Sequence, residues 1–180
     1  MKKLSLFLAT LVVSVSAMAQ GYASLEYSDE TNRATDASNI KEALVVGNKV
    51  GSTDYSLKME NSQTAFGSGS LSQGLEVRVK QSIGAFYVGG RLGEKVSSSS
   101  HFSHYAVDAG VKFPLVAGFT GDVGGRYRNA FETANNYKTT RVHAAVGYPL
   151  TKQDSVAVRW SRTYGDEEKD AWRLQYTRSF

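Results

Sequence analysis

The chain has 180 residues, a formal charge of +4, 41% hydrophobic residues and a mean hydropathy of −0.32, with 17 glycines, 2 prolines and no cysteine. That length fits one domain. The negative hydropathy excludes a bundle of membrane helices, and the lack of cysteine excludes disulfide scaffolds and thiolate-held metals. Ten Tyr, eight Phe and two Trp are many for so polar a chain.

The first element is an address. Met1-Lys2-Lys3 precedes an apolar run from Leu4 to Ser16, and Ala17-Met18-Ala19 gives the small-x-small pattern of a cleavage site. Residues 1–19 therefore read as a signal peptide, with Gln20 opening a single exported domain over 20–180. Loss of Lys2 and Lys3 takes the charge from +4 to +2. No Lys/Arg run or basic helix remains, so no nucleic-acid partner is expected.

From there the chain alternates apolar and polar residues with the period of strands. The apolar sets, in order, are Ala23/Leu25/Tyr27, Tyr55/Leu57/Met59, Leu75/Val77/Val79, Phe86/Val88/Leu92 and Tyr105/Val107/Ala109/Val111/Phe113. They continue with Phe119/Val123/Tyr127, Val142/Ala144/Val146/Tyr148, Val156/Val158/Trp160 and Trp172/Leu174/Tyr176/Phe180. The segment Ile40 to Gly47 is also a strand, but its facing is open because apolar residues fall on both parities. Short links near Asn48–Thr53, Gln81–Gly84, Pro114–Gly118 and Pro149–Asp154 recur about every 33 residues. Longer polar links lie near Asp29–Asn39, Asn61–Ser72, Glu94–Ser103, Asn129–Lys138 and Gly165–Asp170. Five hairpins follow, hence ten strands.

Ten such strands could close as a soluble sandwich or as a transmembrane antiparallel up-and-down β-barrel. Three features favour the all-β barrel: strands of membrane-crossing length, short links alternating with long ones, and aromatics at both ends of the apolar face. Tyr22, Phe86, Phe113, Phe119, Tyr148 and Phe180 lie toward the short links. Tyr27, Tyr105, Tyr127, Tyr164 and Trp172 lie toward the long ones. Amphipathic rings prefer the two membrane–water interfaces, so these form two girdles.

The last residues, Trp172-Arg-Leu-Gln-Tyr176-Thr-Arg-Ser-Phe180, resemble the closing strand of Gram-negative outer-membrane β-barrel proteins, which include small porin-like and opacity-type members. The resemblance implies an outer-membrane location, contact with outer-membrane lipids and lipopolysaccharide, and recognition by the barrel-assembly machinery through Trp172, Leu174, Tyr176 and Phe180. Small opacity-type barrels usually have eight strands, against the ten counted here.

If the apolar face meets lipid, the other face lines the lumen. It carries Lys58, Arg78, Lys80, Arg91, Lys112, Arg126, Arg128, Arg141, Arg159 and Arg173, with His143, against Glu26, Glu60, Glu76, Asp108 and Asp122. Ten cations against five carboxylates leave an excess of about five. The opposite facing would place Arg and Lys in lipid at about 2–4 kcal/mol each near the midplane. Two readings of this interior stand: side chains that fill the barrel as a charged network, or a wet passage biased toward anions. Gly89, Gly110, Gly124 and Gly147 on the lumenal face leave room for water.

Catalytic candidates are sparse. His101-Phe102-Ser103 resembles the His-x-Ser of outer-membrane lipid A deacylases, with both polar residues facing outward near the outer rim. The orienting acid of a triad is missing on the neighbouring strands, Glu132 being the nearest guess. His104 and Asp108 share a face but stand about 13 Å apart along a strand. Three scattered histidines without cysteine give no metal site, and no cofactor is implied. Asp166 to Asp170 reads as a solvated loop tip, Gly121 to Gly125 lacks the helix of a phosphate loop, and outward-facing Arg162 can snorkel to lipopolysaccharide phosphates.

The sequence thus reads as a monomeric, non-enzymatic, porin-like barrel with an Arg-rich lumen for small anionic solutes. A structural or surface-adhesion barrel acting through its outer loops is the alternative, and a lipid A-modifying enzyme a distant third. Deletion of Phe180 is expected to lower the yield of heat-modifiable folded barrel in cells; an unchanged band shift would count against the closing-strand reading.

Overall fold

The computed structural model describes residues 20–64, 71–97, 101–132 and 137–180; the signal-peptide reading of residues 1–19 lies outside them. The chain forms ten strands: β1 (Gly21–Asn32), β2 (Ser38–Val50), β3 (Thr53–Thr64), β4 (Ser72–Ile83) and β5 (Phe86–Ser97), then β6 (His101–Pro114), β7 (Thr120–Ala130), β8 (Lys138–Pro149), β9 (Asp154–Gly165) and β10 (Lys169–Ser179). Each pairs antiparallel with its neighbours in the chain, and β1 pairs with β10 from Tyr22↔Ser179 to Asn32↔Lys169, closing the barrel. The Phe180 amide adds a bond to the Gly21 carbonyl at 2.9 Å, so the last residue helps seal the seam.

Tight turns set the register at one end. Gly51 (φ +59°) and Gly84 (φ +61°) each open a two-residue link, where a hairpin needs φ > 0 and glycine adopts it without steric cost. Pro114 and Pro149 end β6 and β8, where a missing N–H takes no bond from the ladder interior. At the other end the strands run further than the polar composition suggests. The connections read as long loops shrink to residues 33–37, 65–71, 98–100, 131–137 and 166–168. Polar residues continue the pleat there because backbone pairing, not side-chain burial, holds the strand ends.

Burial is inverted relative to a soluble protein. Among the described residues, the largest fully buried side chains are Glu30 and Ser24, at 1% exposure, whereas Phe86 and Trp172 are 67% and 61% exposed. Leu25, Leu75, Val77, Val88, Leu92, Val107, Val123, Val146, Val158 and Leu174 form a continuous exposed apolar wall. Monomeric soluble proteins do not expose apolar surface on that scale. A wall that is apolar around the whole circumference, on a sheet with no free edge, belongs in hydrocarbon. Outward-facing charges keep to the outer half or the strand ends: Asp29, Glu42, Glu94, Lys138, Arg162 and Asp170 toward the outer loops, Asp154 and Arg178 toward the short turns.

Tyr27, Phe86, Tyr105, Phe113, Phe119, Tyr127, Tyr148, Tyr164 and Trp172 all project from the outer wall, and the Phe119 and Tyr148 rings meet at 4.7 Å. Tyr22 does not join them. It stands three residues from Leu25, an odd step along a strand, so it points inward and donates to Asp54 Oδ1 at 2.7 Å. The facing of β2 is also settled. Lys41, Ala43, Val45 and Gly47 point inward, and Ile40, Glu42, Leu44 and Val46 outward. Leu44, though outward, is 8% exposed, and lines a concavity of about 920 Å³ in the wall with Leu25, Met59, Leu75 and Leu174.

Val107→Arg on the lipid face at mid-strand is expected to lower unfolding free energy in lipid vesicles by about 2–4 kcal/mol. A chemical-denaturation midpoint matching the parent would contradict this facing.

Candidate functional site

The inner wall is organised around arginines that face one another across adjacent strands. Arg78 of β4 is in register with Arg91 of β5, Arg126 of β7 with Arg141 of β8, and Arg159 of β9 with Arg173 of β10. Like charges directly opposite on a sheet repel, so each pair needs negative charge from elsewhere. Glu76 supplies the first: it accepts from Arg78 Nε at 2.6 Å and Arg91 Nη1 at 3.0 Å, and lies 3.5 Å from His104 Nε2. Arg91 also donates to Asp108. In the third pair, Arg159 reaches Asp122 at 3.3 Å, and Arg173 reaches Glu26 at 3.1 Å and the Ser28 hydroxyl at 3.0 Å. Of the middle pair only Arg141 is answered, by Glu30 at 3.3 Å and the Thr163 hydroxyl at 2.9 Å.

Lysines complete the network. Lys58 bridges Glu26 at 2.7 Å and Glu60 at 2.8 Å, Lys41 bridges Glu30 at 2.8 Å and Glu60 at 3.5 Å, and Lys80 meets Asp54 at 3.5 Å. Lys95, Lys112, Arg126 and Arg128 make no ion pair within 4.0 Å among the described residues, and the last has a buried, unbonded Nε. The carboxylate in register with Arg126 is Asp108, and Arg91 takes it. Sequence reading missed Glu30, Lys41, Asp54, Lys95, Glu167 and Lys169 on this side, mostly by ending strands too early. They add three cations and three carboxylates, and Lys49, inward by the parity of β2 at the short-turn rim, is a further cation, so the excess is about six.

Near the short turns, Tyr87 donates to Asp122 Oδ1 at 3.0 Å and lies 3.2 Å from His143 Nε2, while His143 lies 3.2 Å from the same Asp122 oxygen. The Tyr87 hydroxyl sits where the side chains of Gly110 and Gly124 would be; a Cβ on Gly124 would approach it to 2.6 Å. Gly110 and Gly124 therefore seat a tyrosine rather than leave room for water, as Gly89 seats Asp108 and Gly47 seats Tyr22, whereas Gly147 meets nothing closer than ordinary contact distance.

The remaining space is divided. A cavity of about 190 Å³ lies toward the short turns, lined by Tyr22, Asp54, Lys80, Tyr87, Lys112 and Asp122 among others. A second, of about 50 Å³, lies toward the outer loops, lined by Glu30, Lys41, Lys58, Lys95, His104 and Arg128 among others. The residues that line both are Arg78, Arg126, Arg141 and Arg173. A four-arginine septum thus separates the two. Beyond the outer cavity, Phe102 packs on Tyr137 at 5.4 Å, and Glu167 pairs with Lys169 at 2.9 Å. Burial raises the Glu167 carboxyl, but Lys169 and the Tyr137 hydroxyl outweigh it and hold the group below its ordinary range.

On the outer wall, the expectation that no acid accompanies His101 and Ser103 is overturned. Glu94 of β5 faces outward in register with Ser103, and its Oε1 lies 2.9 Å from His101 Nε2. Polar composition places Glu94 in a loop, which hides its parity. The constellation is not linked through, because among the described residues the Ser103 side chain bonds neither group. Arg162 is held by both oxygens of Asp170, at 2.7 and 2.8 Å, which occupies the guanidinium proposed to snorkel. Asp166 accepts from the Lys138 amide at 2.5 Å, and no group of metal-ligating side chains is found among the described residues.

No protein-family model matches the chain, and no curated protein matches it. Solved structures do. The translocator domain of the autotransporter NalP from Neisseria meningitidis is 6% identical with a TM-score of 0.56, over 99% of this chain and 98% of that one. An outer-membrane channel from Pseudomonas putida is 8% identical with a TM-score of 0.53, over 91% and 96%. The NanC porin is 10% identical with a TM-score of 0.51, over 87% and 100%. With its closed sheet, apolar outer wall and charged interior, the chain has the fold of the outer-membrane β-barrels.

Proposed function

We propose that the protein is a small porin-like barrel of the outer membrane whose lumen passes small anionic solutes. The carrying observation is that interior cations outnumber carboxylates and that the excess is not spread evenly: Arg126 and Arg128, in the outer half, make no ion pair within 4.0 Å among the described residues. Positive side chains in a narrow, low-dielectric passage attract anions and repel cations. An anion entering from the outer side meets Lys95 and Arg128, then the arginine septum, then Arg159 and Lys112 toward the short turns. The ion-paired remainder of the wall keeps the passage narrow and holds the arginines in place.

The reading is non-enzymatic, since the outward His101–Glu94 pair does not engage Ser103, the nucleophile it would need to activate. The shortness of the outer connections favours conduction over the surface-adhesion alternative, which relies on long loops. In this reading the barrel works as a monomer among outer-membrane lipids and lipopolysaccharide. Trp172, Leu174, Tyr176 and Phe180 present the closing strand to the assembly machinery. Purified protein in planar bilayers under a salt gradient is expected to show discrete conductance with a reversal potential on the anion side. Replacing Arg126, Arg141 and Arg159 with neutral residues should move the permeability ratio toward one. Absence of conductance, or a cation preference, would overturn the reading.

A further inference from the structure

We propose that the arginine septum is a binding site for one compact oxyanion, of the phosphate or sulfate type, resting on Arg126. The inference builds on the anionic passage above and names what occupies its narrowest part.

The argument is one of missing negative charge at a particular place. Each of the other three septum arginines is tied to a carboxylate: Arg78 to Glu76 at 2.6 Å, Arg141 to Glu30 at 3.3 Å and Arg173 to Glu26 at 3.1 Å. Arg126 lies in register between Asp108, which Arg91 has taken, and Arg141, a like charge. Two residues on along the same face, Arg128 leaves its Nε buried without an acceptor. A charge withdrawn from water without a partner costs several kcal/mol. Arg126 makes no ion pair among the described residues and its neighbour Arg128 has a buried donor without an acceptor, on a wall whose other arginines are all ion-paired; together they form a place prepared for an anion that the chain does not supply.

Chemistry and size narrow the class. Guanidinium groups bind planar and tetrahedral oxyanions through pairs of parallel N–H···O bonds, and a tetrahedral oxyanion can accept from more than one at once. The septum opens on about 190 Å³ on one side and about 50 Å³ on the other. Both fall below the ~300 Å³ at which pockets begin to enclose drug-sized molecules. The occupant is therefore a single small anion rather than a chain of sugar acids. An anion held there would also neutralise part of the Arg126–Arg141 repulsion, so its arrival and the stability of the septum are linked.

The test uses the full barrel refolded in detergent, with inorganic phosphate as the probe and binding followed by calorimetry and by phosphorus NMR line width. Saturable binding that sulfate competes away is expected. It should weaken at least tenfold in Arg126→Gln and also in Arg126→Lys, which keeps the charge but loses the paired donors and guards against a folding failure of the first variant. Arg162→Gln, on the outer wall, should leave binding unchanged. No saturable binding by the parent, or equal binding by the parent and both Arg126 variants, would overturn the site. Because binding in detergent needs no conduction, the two ideas fail separately. A barrel that conducts anions without binding phosphate loses only the site, and one that binds without conducting loses only the passage.

Discussion

Every backbone N–H and C=O that crosses hydrocarbon must find its partner within the protein, because lipid offers none. The rest of this structure follows from that constraint. A sheet satisfies it only when it has no edge, so β1 must meet β10. Closure gives every strand one face toward lipid and one toward a confined interior, and the two faces are then solved as separate chemical problems. Valine, leucine and aromatic side chains cover the outside. The inside collects most of the charge that the strands carry.

Confinement changes what that charge can do. In water, the inward cations would be solvated independently; in a ten-stranded barrel they share one narrow space. Strand register sets arginine against arginine three times, and carboxylates separate them, some from the same or the next strand, as Glu76 does, and some from across the lumen, as Glu30 and Asp122 do. Glu76, Glu26 and Glu30 each serve two or more cations, so the network is closer to a shared lattice than to a set of pairs. Buried ion pairs of this kind are weak evidence for stability, because desolvation offsets much of the attraction. Their structural consequence is clearer: they hold guanidinium groups in fixed positions around a divided lumen.

Much of this was legible in the letters. Alternation at Leu75/Val77/Val79 or Trp172/Leu174/Tyr176 fixes which residues share a face, since parity along a strand does not depend on what the strand packs against. The two prolines and the recurring short links located one end of the barrel. What failed was the position of strand ends. Asp29 to Asn39 and Glu94 to Ser103 are polar enough to read as loops, yet much of each is paired strand. Glu30, Lys95 and Glu94 were lost with them, and Glu94 in turn carried the acid beside His101. Tyr22 was misplaced by composition outweighing parity.

The sequence by itself determined the strand count, the facing of most residues and the sign of the interior, because these depend only on order along the chain. Tertiary structure decided which arginine is left without a carboxylate. That outcome depends on stagger between strands and on distances across the lumen between residues as far apart as Glu30 and Arg141. No local pattern encodes such distances, since they come into being only when the sheet closes.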